Sequence, residues 1–188
     1  FEAIGAPWRI TTPSPLSSRV ARSIEARIED FDSVYSRFRA DSLVTRIAAE
    51  SGTWQFPPDA APLFSLYRTL YYATEGAMSP LVGGRLESLG YDRDYTLRPH
   101  DEVVDVPAWD DIMDWDGTRL TTTAPVLVDV GAAGKGYLAD LVARVLEEGG
   151  VEEYLIDASG DLVHRGDEPV VVALEHPFDA SLAIGTCR

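Results

Sequence analysis

The segment VLVDVGAAGKGYLAD, residues 126–140, constrains the fold more than any other part of this sequence. Its apolar residues up to Val130 are typical of a buried strand, and the apolar spacing after Tyr137 is typical of a helix. We therefore expect a strand over residues 124–130 with Asp129 near its end, a tight glycine loop over 131–136, and a helix over 137–148.

A loop of this kind at the start of a helix can bind phosphate. Glycines let the backbone approach an anion, and the free N–H groups of a helix start favour negative charge. Lys135 lies in the predicted loop and would add a point charge. It is the only lysine among 16 basic residues, the other 15 being arginine. A tight turn that carries a solvated lysine explains the same pattern equally well.

Two better-known glycine motifs fit this loop poorly. A Walker A loop ends in Gly-Lys followed by Ser or Thr, but here Gly136 follows the lysine. A dinucleotide fingerprint has the spacing GxGxxG, whereas Gly131, Gly134 and Gly136 give GxxGxG.

Periodicity elsewhere predicts helices early in the chain and strands late, which indicates an α+β domain rather than an alternating α/β sheet. Residues 77–95 are expected to be irregular, and 102–116 show no clear element, with Trp109 and Trp115 interpreted as packing residues. Asp116 and Gly117 predict a hairpin turn. The other predicted elements are a strand over 1–12, helices over 17–38, 41–51 and 59–75, and short strands over 54–56, 119–122, 154–158, 162–164, 170–174 and 182–184.

The charge balance excludes some classes of partner. With 31 acidic residues against 16 basic ones, the net charge is -15. Proteins that bind nucleic acid or anionic membranes usually cluster Lys and Arg, and no such cluster is present, so we expect neither partner. No apolar run is long enough to span a membrane. The single cysteine, Cys187, excludes an internal disulfide, and the localisation, cytoplasmic or exported to the cell envelope, stays open.

Five collinear segments resemble the ApbE family of FAD:protein FMN transferases. DVGAAGKGYLAD is similar to the family's central signature, and LIDASGDL, residues 155–162, is similar to its following strand and Gly-Gly-Asp turn. FEAIGAPWRI, SRFRADSLVTRI and TEGAMSPLVGG are similar to three family segments that precede it.

The resemblance implies an ApbE-like, T-fold-related α+β fold, with N-terminal helices and a sheet in the C-terminal half, in a single domain over residues 1–188. It also implies Mg²⁺-dependent transfer of FMN from FAD to a threonine hydroxyl of a target flavoprotein, with release of AMP. A non-catalytic FAD-binding protein and an FAD pyrophosphatase that releases FMN and AMP are the alternatives. The family's catalytic His, and the Asp and Thr that complete its magnesium site, are expected beyond Arg188, so we expect the chain to be truncated at its C-terminus.

Site residues follow from the resemblance position by position. Ala132 matches the position whose main-chain carbonyl binds magnesium. Phe38 and Met78 are expected to line the flavin-ring pocket, whereas Asp129 and Lys135 would hold the pyrophosphate and ribose region. Ile4, Phe38, Met78 and Ser79 depart from the usual residue types, and the substitutions at Ile4, Met78 and Ser79 motivate the binding-only alternative. The positions that match FAD contacts of the family are Ile4, Phe38, Ala77, Met78, Ser79, Asp129 and Lys135.

The remaining polar candidates are interpreted as structural. His100, His164 and His176 have no partner at metal-ligand spacing. Three aspartates, Asp140, Asp157 and Asp161, could form a carboxylate cluster or could serve as turn caps and solvent-exposed groups.

Overall fold

A computed structural model describes residues 1–188 of the chain, apart from the side chain of Ala180. It contains six α-helices, one short 3₁₀ helix and nine strands in the described residues, so the α+β prediction is confirmed. The helices are α1 (Ser18–Tyr35), α2 (Leu43–Ala49), α3 (Ala60–Ala73), a 3₁₀ helix (Pro80–Val82), α4 (Gly83–Ser88), α5 (Trp109–Ile112) and α6 (Gly131–Glu148). The strands are β1 (Glu2–Ala3), β2 (Ala6–Thr11), β3 (Gly52–Gln55), β4 (Met113–Trp115), β5 (Arg119–Thr122), β6 (Tyr154–Ala158), β7 (Asp161–Arg165), β8 (Val172–His176) and β9 (Asp179–Cys187).

The largest sheet joins the two ends of the chain. Its order is β1-β2-β6-β7, and every neighbouring pair is antiparallel. The single N-terminal strand predicted over residues 1–12 is wrong, because Ile4 and Gly5 form a two-residue turn that divides it into a hairpin. Both residues have positive φ angles, 45° and 74°, which is the backbone of the tight turns that suit a hairpin's twist.

Helices α1 and α6 pack against each other and form much of the core. Val20, Ile24 and Phe31 on α1 are buried, as their spacing predicts. Ser17 caps this helix by accepting a hydrogen bond from the N–H of Val20. The helix ends at Tyr35, earlier than predicted, so Phe38 lies in the following loop rather than on the apolar face of the helix.

The second sheet has the order β3-β5-β4, and an aromatic cluster packs against it. Trp109 and Trp115 are buried, which confirms that they are packing residues, and the Trp115 ring stacks on Phe64 with 4.5 Å between centroids. The predicted hairpin turn at Asp116 is also confirmed, since its carboxylate accepts from the N–H groups of Thr118 and Arg119. Helix α5 and strand β4 occupy an acidic stretch for which no element was predicted.

The central segment differs from its prediction in two ways. Residues 124–130 do not form a strand: Val126, Val128 and Val130 are buried, but the backbone bonds only singly to neighbouring segments, as from the N–H of Asp129 to the carbonyl of Pro80 at 2.8 Å. The prediction of a glycine loop over 131–136 is also wrong, because α6 begins at Gly131. Residues 77–95 are not wholly irregular either, since the 3₁₀ helix and α4 lie within them.

The last two strands form a separate antiparallel ribbon, β8-β9. Both are shifted or extended relative to the predicted strands over 170–174 and 182–184. The apolar side chains of Leu174, Phe178, Leu182 and Ile184 are exposed on this ribbon. Within the part of the chain that the structure describes, no helix is long and apolar enough to cross a membrane.

Candidate functional site

A cavity of about 430 Å³ lies beside the first turns of α6. This volume is in the range of small-molecule sites, ~300–1,000 Å³. Helix α1, the loop after it, the β1–β2 turn, the loop after α4 and the start of α6 all contribute walls. The residues that line it are Ile4, Gly5, Phe31, Asp32, Tyr35, Ser36, Arg37, Phe38, Arg39, Tyr91, Tyr95, Asp129, Val130, Gly131, Gly134 and Lys135.

Asp129 holds the start of α6 in place. One carboxylate oxygen, Oδ1, accepts from the N–H of Gly131 at 2.7 Å, which satisfies a backbone donor that a helix start leaves free. The other, Oδ2, accepts from Nε of Arg37 at 2.6 Å. Both oxygens are therefore engaged, and the carboxylate compensates a buried guanidinium.

Tyr67 on α3 supports the same turn from the other side. Its hydroxyl accepts from the N–H of Ala133 at 3.2 Å. Burial raises the pKa of Tyr67 to about 12, so the phenol keeps its proton at neutral pH. Tyr35, which lines the cavity from α1, also has a raised pKa because of its burial, and Asp59 adds to the shift.

An aromatic wall forms one side of the cavity. The rings of Phe38 and Tyr95 are stacked with 5.1 Å between centroids and 8° between planes, and Tyr91 meets Phe38 edge to face at 5.6 Å. We name Phe38, Tyr91 and Tyr95 the aromatic wall. Flat rings bind well against such surfaces.

Sequence reasoning identified Phe38 but missed Tyr91 and Tyr95. Their loop closes on itself through a hydrogen bond from the N–H of Leu97 to the carbonyl of Gly90 at 2.8 Å. At Gly90, whose φ is 93°, a Cβ atom would lie 2.4 Å from the nitrogen of Arg98, so only glycine fits. A glycine followed by two tyrosines was the available signal for a shaped loop.

Lys135 lies in the second turn of α6 rather than in a loop. Its ammonium donates to the carbonyl of Ser159 at 3.1 Å and lies 3.5 Å from Oδ2 of Asp161, both at the β6–β7 turn. The side chain is 29% exposed and also lines the cavity. The Lys135 side chain is therefore not freely solvated, and it is not fully buried either.

The glycines of this segment have different environments. A Cβ at Gly134 would lie 3.0 Å from Cγ2 of Val130, which is tighter than an ordinary contact, and 3.5 Å from Cζ of Phe31 on α1, which is an ordinary van der Waals distance. At Gly136 a Cβ would meet no atom within 4 Å. The close approach at Gly134 is thus to the protein's own core, although this glycine also borders the cavity.

The predicted site residues are only partly brought together. Ile4, Phe38, Asp129 and Lys135 all line the cavity. The predicted residues that lie outside its lining are Ala77, Met78, Ser79 and Ala132.

The residues between α3 and the 3₁₀ helix have mainly local contacts. Ala77 is exposed, and Met78 is half-buried against the core. Ser79 is buried, and its hydroxyl caps the 3₁₀ helix by accepting from the N–H of Leu81 at 3.2 Å. Ser79 still lies close to the site, since the next residue, Pro80, bonds to Asp129 through its carbonyl.

The residues present do not by themselves form a magnesium site. Magnesium requires near-octahedral coordination by several oxygen atoms. Among the described residues there is no group of three or more His, Cys, Asp or Glu side chains that could hold a metal ion. Ala132 is exposed in the first turn of α6, and both oxygens of Asp129 already accept hydrogen bonds.

The other polar candidates lie away from the cavity lining. His164 is on β7, and His176 ends β8. His100 lies in the loop after α4, and its backbone N–H donates to the carbonyl of Ser88 at 2.8 Å. Asp157 caps the β6–β7 turn by accepting from the N–H of Gly160 at 3.0 Å.

Comparison with known proteins identifies one family for this chain. The model of the ApbE family matches residues 4–187. The FAD:protein FMN transferases of Klebsiella pneumoniae (strain 342) and Escherichia coli (strain K12) are 25% and 24% identical to this chain; each alignment covers 97% of the chain and 58% of the relative. The chain thus spans less than two thirds of the length of these curated relatives.

Solved structures show the same fold. The flavin transferase ApbE from Vibrio cholerae superposes with a TM-score of 0.75 at 22% identity, over 94% of this chain and 62% of that one. The apo form of the flavinyl transferase ApbE from Pseudomonas stutzeri gives a TM-score of 0.74 at 22% identity, over 92% of this chain and 60% of that one. With the family model matched over nearly the whole chain, the protein belongs to the ApbE family.

Proposed function

We propose that the complete protein transfers the FMN part of FAD to a threonine hydroxyl of a target flavoprotein. The threonine oxygen forms a bond to the phosphorus of the FMN part. The bond from that phosphorus to the bridging oxygen breaks, AMP leaves with that oxygen, and the hydroxyl proton is lost. The relatives that match this chain are named as FAD:protein FMN transferases.

One observation supports this proposal above the others. The fold gathers Ile4, Phe38, Asp129 and Lys135 around one cavity, although they come from widely separated parts of the chain. These are four of the positions that match FAD contacts of the family. A shared cavity is what a common ligand requires.

The two ends of the cavity suit the two parts of a flavin nucleotide. The ammonium of Lys135, in the second turn of α6, offers positive charge to phosphate oxygens. The aromatic wall offers flat apolar surface to a ring system. The net charge of -15 does not oppose this, because a small anion responds to the local field of the site.

Magnesium dependence is proposed for the complete protein only. Within residues 1–188 the candidate is the carbonyl of Ala132, which is a single ligand oxygen and does not amount to a site.

The test uses the complete protein with FAD, magnesium and an acceptor flavoprotein, followed by mass spectrometry of the acceptor. We expect the acceptor to gain one FMN, and a matched acceptor whose target threonine is replaced by alanine to gain nothing. Release of FMN and AMP with an unmodified acceptor would instead identify a pyrophosphatase and refute transfer.

A second candidate is FAD binding without catalysis. It is favoured by the residue types at Ile4, Met78 and Ser79, which depart from those usual at the matching family positions. FAD that binds to the complete protein, and is recovered intact after incubation with acceptor and magnesium, would support this candidate.

A further inference from the structure

Arg37 is a buried charged residue at the cavity. Its side chain is 2% exposed, which is rare for arginine. Nε donates to Asp129, so the charge of the guanidinium is compensated. The two terminal nitrogens, Nη1 and Nη2, are buried and have no hydrogen-bond acceptor among the described residues.

Unpaired guanidinium N–H groups are costly to bury, because they lose water and gain nothing in return. Buried polar groups in native proteins therefore nearly always have a partner, and exceptions suggest a functional role or a missing ligand. Since Arg37 lines the cavity, a ligand there could supply the missing acceptors.

The position of the guanidinium indicates which part of a ligand it would meet. Its central carbon lies 4.2 Å from the ring centroid of Phe38 and 4.6 Å from that of Tyr91. The guanidinium thus lies against the rings of the aromatic wall, so its terminal donors are next to any ring system that packs on that wall. The planar fork of arginine matches ring oxygens lying in one plane.

Phosphate oxygens are a poorer match for these donors. The ion pair with Asp129 leaves Arg37 little net charge to offer a phosphate, and placing a multiply charged group beside the apolar rings of the aromatic wall is costly. Lys135 is more exposed, and its ammonium is a point charge of the kind that binds phosphate.

We propose that Arg37 is a specificity-determining residue whose terminal N–H groups bind the carbonyl oxygens of the flavin ring, while its Nε holds Asp129. This inference rests on the proposed use of FAD, and it assigns the ring end of the ligand to the Arg37 side of the cavity.

The test compares Arg37→Lys with the unaltered protein by titrating riboflavin, FAD and ADP. Lysine keeps a positive charge opposite Asp129 but lacks the fork. We expect riboflavin and FAD to bind about tenfold to a hundredfold more weakly, by the same factor, and ADP to be unaffected. The matched control is Arg27→Lys, since Arg27 also pairs with an aspartate, Asp59, but lies on α1 and does not line the cavity.

A second measurement needs no variant. In 2-thioriboflavin and 4-thioriboflavin a ring carbonyl oxygen is replaced by sulfur, a weak acceptor. The unaltered protein should bind at least one of them more weakly than riboflavin, and this difference should vanish in Arg37→Lys.

Three results would overturn the proposal. Loss of FAD and ADP binding with riboflavin binding retained would mean that Arg37 contacts phosphate. Unchanged binding of all three ligands would leave Arg37 a structural partner of Asp129 only. Equal affinity of the unaltered protein for riboflavin and both thio analogues would exclude ring recognition even if Arg37→Lys does not fold. Because these are binding measurements, they stay informative if the transfer assay fails.

Discussion

Replacing two glycines of α6 by alanine tests whether residues 131–136 are helix rather than loop. Alanine is more favourable than glycine inside a helix by about 0.5–1 kcal/mol. At Gly136 the added methyl group meets no atom within 4 Å, so Gly136→Ala should gain this whole amount. For a chain of this size the melting temperature should rise by about 1–4 °C.

At Gly134 the same gain is opposed by crowding. The new Cβ would lie 3.0 Å from Val130 and 3.5 Å from Phe31, which are only 5% and 3% exposed and so have little room to move. Overpacking a core costs about 1–3 kcal/mol. Both variants share the gain in helix propensity. The free energy of unfolding of Gly134→Ala should therefore be lower than that of Gly136→Ala by roughly the overpacking cost.

The assay is urea and thermal unfolding followed by far-ultraviolet circular dichroism, with an unchanged m-value as the control for a two-state comparison. If Gly136→Ala lowers the melting temperature, the segment is not helical in solution and the reasoning fails. Equal stability of the two variants would show that the Val130 side chain does not crowd position 134 in solution.

Two further predictions concern the same helix start. Lys135→Ala should weaken FAD binding by about tenfold and leave riboflavin binding nearly unchanged, because only FAD carries phosphates. Equal losses for both ligands would remove the phosphate role. The control is Arg165→Ala, which breaks a surface ion pair with Glu147. The pKa of Tyr67 is raised to about 12 by burial, so the unfolded chain loses this proton first and stability should fall as the pH rises from about 10 to 12. Tyr67→Phe should flatten this fall in urea titrations at high pH and cost about 0.5–1.5 kcal/mol at pH 7, and an unchanged pH profile would show that Tyr67 is not the group responsible.

Local pattern predicted most of the regular elements. The three- and four-residue spacing of Val20, Ile24 and Phe31 predicted α1, because a helix buries one face. The Asp-Gly pair predicted the hairpin between β4 and β5 for an equally local reason. Where the prediction failed, at residues 124–136, distant contacts decide the structure. Residues 124–130 are valine-rich, but they have no strand partner and so stay outside any sheet. Residues 131–136 are glycine-rich, but they become helical because they pack on α1.

The candidate site was predictable only in part, for a similar reason. Motif resemblance identified Ile4, Phe38, Asp129 and Lys135, and the structure brings these together. Arg37 was missed, since no local pattern distinguishes a buried arginine from the exposed arginines that are the majority in this chain.

The sequence alone therefore determined the family and the α+β class, and it pointed to four residues that line the candidate site, because motifs and periodicity are properties of short segments. Only the tertiary structure decided where α6 begins, that Asp129 pairs with Arg37, and that Lys135 contacts the β6–β7 turn. Each of these depends on residues far apart in the chain, and their proximity results from the packing of the whole core rather than from any local preference.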